Sequence, residues 1–359
     1  MKGRERKSYL ISLSVSIILA LLLGAGIMLL TGHQPMEGYG ALLNGAFGDK
    51  RAIGNTLYKS AQLMITGLAT AIASLGGIFN VGGEGQMYLG ALASCWLGAL
   101  LKGTSPWIAV PLCLLAAILS GAFYAWIPAI LKVKLKINEV ITTILMNSIA
   151  IYFCTYLANG PLRTHERGVS QGTASIDPAF QFSKLIRGSN LTQTVFWIAL
   201  ISLFVWYLMT RTTVGFEMKL TGQNQRFAKF AGLKAEKLAI FGMLASGAMC
   251  GMLGMFETFG LQTRFKPDFS NEFYFDGMLV AMIMRYQPLG IILMSFFFGV
   301  LKMGAVTMQS KTGISSELIL IVQSIIIFFM AAEEGILKSI QARRAVKRAS
   351  AGISKGGEG

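Results

Sequence analysis

The chain is poor in the groups on which most enzymes and metal proteins depend. Its 359 residues include two histidines, His33 and His165, and four cysteines, Cys95, Cys113, Cys154 and Cys250. The histidines stand far apart with no carboxylate or thiol pattern beside them, and no pair of cysteines forms CxxC. That leaves no zinc-type ligand spacing and no disulfide framework. GxxxxGK[ST], HExxH and GxSxG are all missing, so the sequence encodes neither a phosphate-cradling P-loop, nor a zincin centre, nor a nucleophile elbow. Catalytic residues, a metal and a bound cofactor are therefore not expected. Charge is scarce as well: only 14% of residues are Asp, Glu, Lys or Arg, too few to cover an ordinary soluble surface.

What is abundant is apolar. Hydrophobic residues make up 53% of the chain and the mean hydropathy is +0.58, values of an all-α, multi-spanning membrane protein. The 41 Gly against 8 Pro fit helices packed closely through small residues, and the cysteines, all inside apolar runs, read as lipid-buried or core thiols. The net charge of +15 lies at the edges of those runs, without a basic stripe interleaved with aromatics. It reads as a topology signal, and nucleic acid is not expected as a partner.

Runs near the roughly 20 residues needed to cross a bilayer occupy 9–30, 56–76, 84–101, 107–131, 140–158, 193–210, 238–258, 288–305 and 317–333. The first follows MKGRERKSYL and resembles a signal peptide in outline. It is too long and lacks a small-x-small cleavage site, so it is expected to be a retained span. Lys and Arg gather in the N-terminal tail (Lys2, Arg4, Arg6, Lys7), in KVKLK (Lys132, Lys134, Lys136), around Arg211–Lys237, and in the C-terminal tail (Lys338, Arg343, Arg344, Lys347, Arg348, Lys355). The positive-inside rule places all of these in the cytoplasm. Two inner termini require an even number of crossings. The short Phe275–Met284 segment, FDGMLVAMIM, is then expected to supply a tenth, partial or broken crossing, with Arg285 turning the chain near the inner side.

The expected division is a cytoplasmic tail at 1–8, a transmembrane domain at 9–333 with an inner loop at 211–237, and a basic cytoplasmic tail at 334–359. A long outer loop, about 159–192, carries Pro161, Arg163, Glu166, Arg167, Asp177 and Arg187. It either meets an external partner or is simply solvated. FNVGGEGQMYLGALAS and FYFDGMLVAMIMRYQPLG echo one another five crossings apart, an offset that inverts the second copy, as in inverted-repeat transporters.

Three stretches could carry function. GGIFNVGGEGQ (Gly76–Gln86) wedges Asn80, Glu84 and Gln86 among glycines between two runs. A carboxylate at the bilayer centre costs about 2.5 kcal/mol or more, so Glu84 either faces a polar path in an unwound turn or lies in water in a cytoplasmic hairpin. In NEVITTILMN, Asn138 can cap a helix, Glu139 suits its positive end, and Thr142, Thr143 and Asn147 extend a polar stripe. Capping alone accounts for the first two. Asp276 and Glu257 are further candidates, expected at the membrane interface.

The third stretch is RTTVGFEMKLTGQNQRFAKFAGLKAEK (Arg211–Lys237). Thr221 is expected to cap a short helix over Gln223–Ala231, ended by Gly232 in the left-handed conformation. Phe227, Phe230 and Ala231 fall on one face at i, i+3 and i+4 while Arg226 and Lys229 point elsewhere, a docking knob or an interfacial helix lying on lipid.

FNVGGEGQMYLGA is similar to the FN(I/V)GxEGQ signature of the permeases of ABC importers for nucleosides and simple sugars, within the branched-chain amino acid and ribose permease superfamily. NEVITTILMN resembles that family's NEVI(S/T)TxMLN. TGQNQRFAKFAGLKAEK resembles its (V)GxNxxAAxYAGI coupling segment, and FYFDGMLVAMIMRYQPLGII its GFDGIAVALLGRxxPxGI region. The four occur in the family's order between about residues 60 and 335. Departures are Gly83 where Ala is usual, Gln223 and Gln225, and Met282–Met284. The resemblance implies a type II importer fold with about ten spans, some broken, in a bacterial plasma membrane. It implies three partners: a second permease, identical or paralogous, a cytoplasmic ATP-binding subunit that uses the ATP, and an extracytoplasmic solute-binding protein. Thr221, Gly222, Asn224, Phe227, Phe230, Ala231 and Gly232 would then form the coupling segment. Asn80, Glu84, Gln86, Asn138, Glu139, Thr142, Asn147 and Asp276 are the candidates for the solute path. The alternatives are a monosaccharide permease, an ion-coupled secondary transporter and a membrane scaffold.

Overall fold

The computed structural model describes residues 3–164, 171–270 and 272–329, with side chains from residue 13 onward. The C-terminal tail expected at 334–359, together with His165, Glu166 and Arg167, lies outside the described residues. Among those described, thirteen α-helices carry the chain: α1 (Gly3–Leu30), α2 (Pro35–Phe47), α3 (Lys50–Gly76), α4 (Gly83–Leu100), α5 (Pro106–Leu135), α6 (Glu139–Asn159), α7 (Thr194–Arg211), α8 (Thr213–Gln223), α9 (Gln225–Phe230), α10 (Ala235–Glu257), α11 (Phe273–Ile283), α12 (Pro288–Thr312) and α13 (Glu317–Phe329). The described residues contain only isolated β-bridges, Arg163 with Thr173 and Lys184 with Thr192, and no strand.

Six of these elements are long and apolar enough to cross a bilayer alone: Leu13–Leu30, Pro106–Leu135, Glu139–Asn159, Thr194–Arg211, Ala235–Gln262 and Pro288–Thr312. Nine such runs were expected. α3 and α4 have the length, but they bury Thr56, Gln62, Thr66 and Thr70, and Glu84, Gln86 and Ser94, and so are not apolar helices by composition. α13 is described only as far as Phe329, and α11 is as short as its sequence implied. α2 matches no expected run, because its 13 residues include five that are charged, amide or glycine, Glu37, Gly38, Gly40, Asn44 and Gly45.

The chain forms two compact units, one from the described residues of 1–45 and 304–359 and one from 46–303. In the smaller unit, the Tyr39 hydroxyl donates to Leu21 O at 2.6 Å and Lys311 Nζ to Asn44 Oδ1 at 2.8 Å. The larger unit holds every candidate site residue.

Within the larger unit the helices are sorted by what they face. α5 exposes Leu112, Leu115, Leu119, Phe123 and Trp126 at three- and four-residue spacing, and α7 exposes Phe196, Leu200, Leu203 and Tyr207. Such stripes suit acyl chains, against which apolar burial yields no gain. The opposite stripe of α5 is small: Ala109, Cys113, Ala117, Gly121 and Ala125 are buried. α10 meets it with Gly247 and Gly251, a GxxxG pair. A Cβ added at Gly251 would stand 2.1 Å from Ala117 O, and one at Gly247 would stand 2.5 Å from Gly121 O. Helix backbones that close give dispersion its full value where hydrophobicity cannot drive association. All four cysteines are buried and free.

Candidate functional site

The α3–α4 interruption is the first focus of polar groups. α3 stops at Gly77, whose φ of +95° is the left-handed cap that glycine adopts without penalty. Residues 78–82 then run unwound before α4 starts at Gly83. Asn80 is fully buried there. Its Nδ2 donates to Gln86 Oε1 and Ser246 Oγ, both at 2.9 Å, and its Oδ1 accepts from Gly82 N at 2.8 Å. The free amides of the break find a further partner in α6: Asn147 Nδ2 donates to Val81 O and its Oδ1 accepts from Gly85 N, both at 2.8 Å.

Glu84 is 4% exposed, which corrects the reading of a carboxylate in a watery hairpin. Its carboxylate accepts from the Ser270 hydroxyl and, at 3.0 Å, from Tyr274 N. Tyr274 then donates its phenol to Asn80 O at 2.7 Å. The tyrosine ring lies on Gly83, where an added Cβ would come within 2.0 Å of it. The two segments that echo one another in sequence are thus in contact, and together they form a closed hydrogen-bonded knot rather than an open groove.

The other expected path residues are placed differently. Asn138 caps α6 by accepting from Val140 N at 2.9 Å, and Glu139 pairs with Lys132 at 2.6 Å. Thr142 bonds back to Asn138 O and Glu139 O. Capping and a local ion pair occupy all three, and none of them joins the buried knot.

Asp276 and Glu257 are buried in the protein, 9% and 3% exposed, because α10 and α11 are inner elements of this unit. Asp276 pairs with Lys302 and lies 3.9 Å from Lys59 Nζ, and Lys59 also sits 4.3 Å above the Phe273 ring. Glu257 accepts from the Tyr58 hydroxyl and, at 2.8 Å, from Gln62 Nε2. Tyr58, Lys59, Gln62 and Lys302 had not been singled out. Two lysines inside runs read as spans were the available signal, since an intramembrane charge marks function by default.

The Arg211–Lys237 segment forms two short helices, not one. α8 is capped by Thr212, which accepts from Gly215 N at 3.2 Å, and continues to Gln223. Thr221 is therefore not a cap. It is buried inside α8, with its hydroxyl bonded back to Glu217 O at 2.9 Å, a use of threonine that competes with capping. Asn224 caps α9 by accepting from Phe227 N at 3.0 Å. Gly232, at φ +80°, follows the helix end at Ala231. Phe227 and Phe230 are 57% and 92% exposed, and Ala231 is exposed beside them. Two contacts tie this piece to the interruption: Gln225 Nε2 donates to Gly77 O at 3.1 Å, and a Cβ at Gly222 would come within 2.7 Å of Leu75 O.

Among the described residues, helices with exposed apolar stripes, a buried polar interior and a protruding aromatic helix make up a polytopic membrane protein. Residues 52–331 match the family described as the branched-chain amino acid transport system / permease component, and the chain belongs to that family. It is 34% identical to the guanosine ABC transporter permease protein NupP of Bacillus subtilis, over 92% of this chain and 96% of that one. It is 33% identical to the nucleoside ABC transporter permease protein NupB of Lactococcus lactis, over 95% and 96%. It is also 29% identical to the glucose ABC transporter permease protein TsgB13 of Haloferax volcanii, over 89% and 86%. No solved structure matches the chain.

Proposed function

We propose that the chain is the membrane-spanning subunit of an ATP-driven importer that moves nucleosides across a bacterial plasma membrane, with both termini in the cytoplasm. A nucleoside is favoured over a hexose because the two relatives above 30% identity are named for nucleosides, whereas the glucose permease is less similar. ATP is hydrolysed by a separate cytoplasmic subunit. A second permease, identical or paralogous, completes the channel, and an extracytoplasmic protein delivers the solute.

One observation carries the mechanism. α9 presents Phe227 and Phe230 outward while Gln225 holds the end of α3 at Gly77, three residues before Asn80. A partner groove that seats the aromatic face and moves on ATP binding would displace α9, and the Gln225–Gly77 bond would pass that displacement to the interruption. There the knot of Asn80, Glu84 and Tyr274 joins α3, α4 and α11, so these elements would tilt as one in alternating access.

The experiment is solute-stimulated ATP hydrolysis and nucleoside uptake by the purified complex in vesicles. Uptake that requires ATP, the ATPase and the binding protein is expected. Uptake by this chain alone, driven by a cation gradient, would replace the importer with an ion-coupled transporter. Absence of any solute flux would leave a scaffold.

A further inference from the structure

The buried group formed by Tyr58, Gln62 and Glu257 has capacity that the protein itself does not fill. Tyr58 and Gln62 stand at i and i+4 on α3, so both reach one point on α10. That point is Glu257, the last residue of α10, where the helix loosens into the π turn Thr258–Gln262. Single π turns recur at functional sites. A carboxylate offers about four acceptor positions, and Tyr58 and Gln62 take one each. Gln62 is 1% exposed, yet its Oε1 has no partner. An unmet buried acceptor beside an underused buried carboxylate is costly unless something with donors arrives. Tyr58 alone of the three is partly exposed, about 12 Å along α3 from its Lys50 end.

We propose that Tyr58, Gln62 and Glu257 form the site that reads the hydrogen-bond donors of the transported solute. The site rests on the importer reading above, under which it lies in the outer half of the membrane. The capacity left unfilled, on Glu257 and on Gln62 Oε1, is acceptor capacity, and it selects a solute with neighbouring N–H groups. A base carrying a ring N–H beside an exocyclic amino group meets Glu257 with two parallel donors, the geometry that makes charged acceptors discriminating. Lys59, held by Asp276, keeps positive charge near the carboxylate.

The test uses proteoliposomes of the complete complex and compares guanosine with inosine, which lacks the amino group. Wild-type uptake is expected to favour guanosine; Glu257→Gln is expected to reduce that preference roughly tenfold, the value of one hydrogen bond to a charged acceptor, and Gln62→Leu to reduce it by a smaller factor of about fivefold, the value of one to a neutral acceptor. Co-purification with the other subunits serves as the folding control. If Glu257→Gln does not assemble, Gln62→Leu and Tyr58→Phe decide. An unchanged guanosine-to-inosine ratio in the assembled variants overturns the site while leaving the importer intact. Wild-type complex that moves no nucleoside overturns both. Uptake that depends on sodium and loses that dependence in Glu257→Gln reassigns the oxygens to a cation and also overturns the proposal.

Discussion

Gly83 and Tyr274 show how one atom fixes the interior. An alanine at 83 would put its Cβ within 2.0 Å of the Tyr274 ring, and the ring cannot retreat without its phenol surrendering the bond to Asn80 O. Overpacking of this kind costs about 1–3 kcal/mol. Gly83→Ala is therefore expected to lower the thermal midpoint of the detergent-solubilised protein. Gly83→Ala with Tyr274→Ala should be less destabilised than the sum of the single changes, as contacting residues require; strict additivity in a double-mutant cycle would contradict the contact. Asn80, Glu84 and Gln86 stood out in the sequence because polar residues among glycines are rare in apolar runs. The saturation of Glu84 was not legible, since it depends on Ser270 and Tyr274, 186 and 190 residues away. The Tyr58–Glu257 bond spans 199 residues and was hidden for the same reason.

At the scale of elements, hydrophobic runs gave most helices to within a few residues, because membrane helices must satisfy their own backbone. The α8–α9 boundary was placed wrongly because threonine and asparagine are both good caps, and only packing decides that Thr221 goes inside. α9 has six residues, so its hold on Gly77 depends on cap and fit more than on helix propensity. Phe230→Asp is expected to abolish uptake with the chain still in the membrane, read as lost co-purification of the ATPase. Gly232→Val should do the same by straining a position at φ +80°. Normal uptake by both variants would remove α9 from coupling. In the long loop after α6, Asp177 accepts from Ala179 N at 2.9 Å and Gly103 N at 3.2 Å, which hold its carboxyl below the usual aspartate range. A lowered folded-state value means the contribution is complete above the ordinary value and fades as pH falls through the lowered one. Hydrogen-exchange protection of the Ala179 and Gly103 amides, corrected for intrinsic rate, should stay flat from neutral to mildly acidic pH and drop only below the ordinary carboxylate range; Asp177→Asn should lose it at all pH values.

For the whole molecule, the distribution of surfaces describes a part made for an assembly. Composition identified a membrane protein, and four ordered motifs pointed to the permease family that residues 52–331 match. Composition could not reveal that α3 and α4, read as two of nine equal spans, are a polar interior enclosed by more apolar helices, because hydropathy counts residues without saying which neighbour they face. A small stripe on α5 against Gly247 and Gly251 makes that enclosure tight. Gly251→Leu is expected to force the pair apart and sharply reduce folded protein in detergent, measured by size-exclusion chromatography; an unaltered elution profile would show that the contact is dispensable.

Phe230 has one more consequence, for supply rather than transport. A side chain 92% exposed on an aromatic helix face is a sticky surface until it is covered. Under the coupling role proposed for α9, chain synthesised in excess of an ATPase partner would present it to quality-control proteases. Cells making this subunit alone should accumulate less of it than cells making the set, and matched synthesis of the partners would set its lifetime.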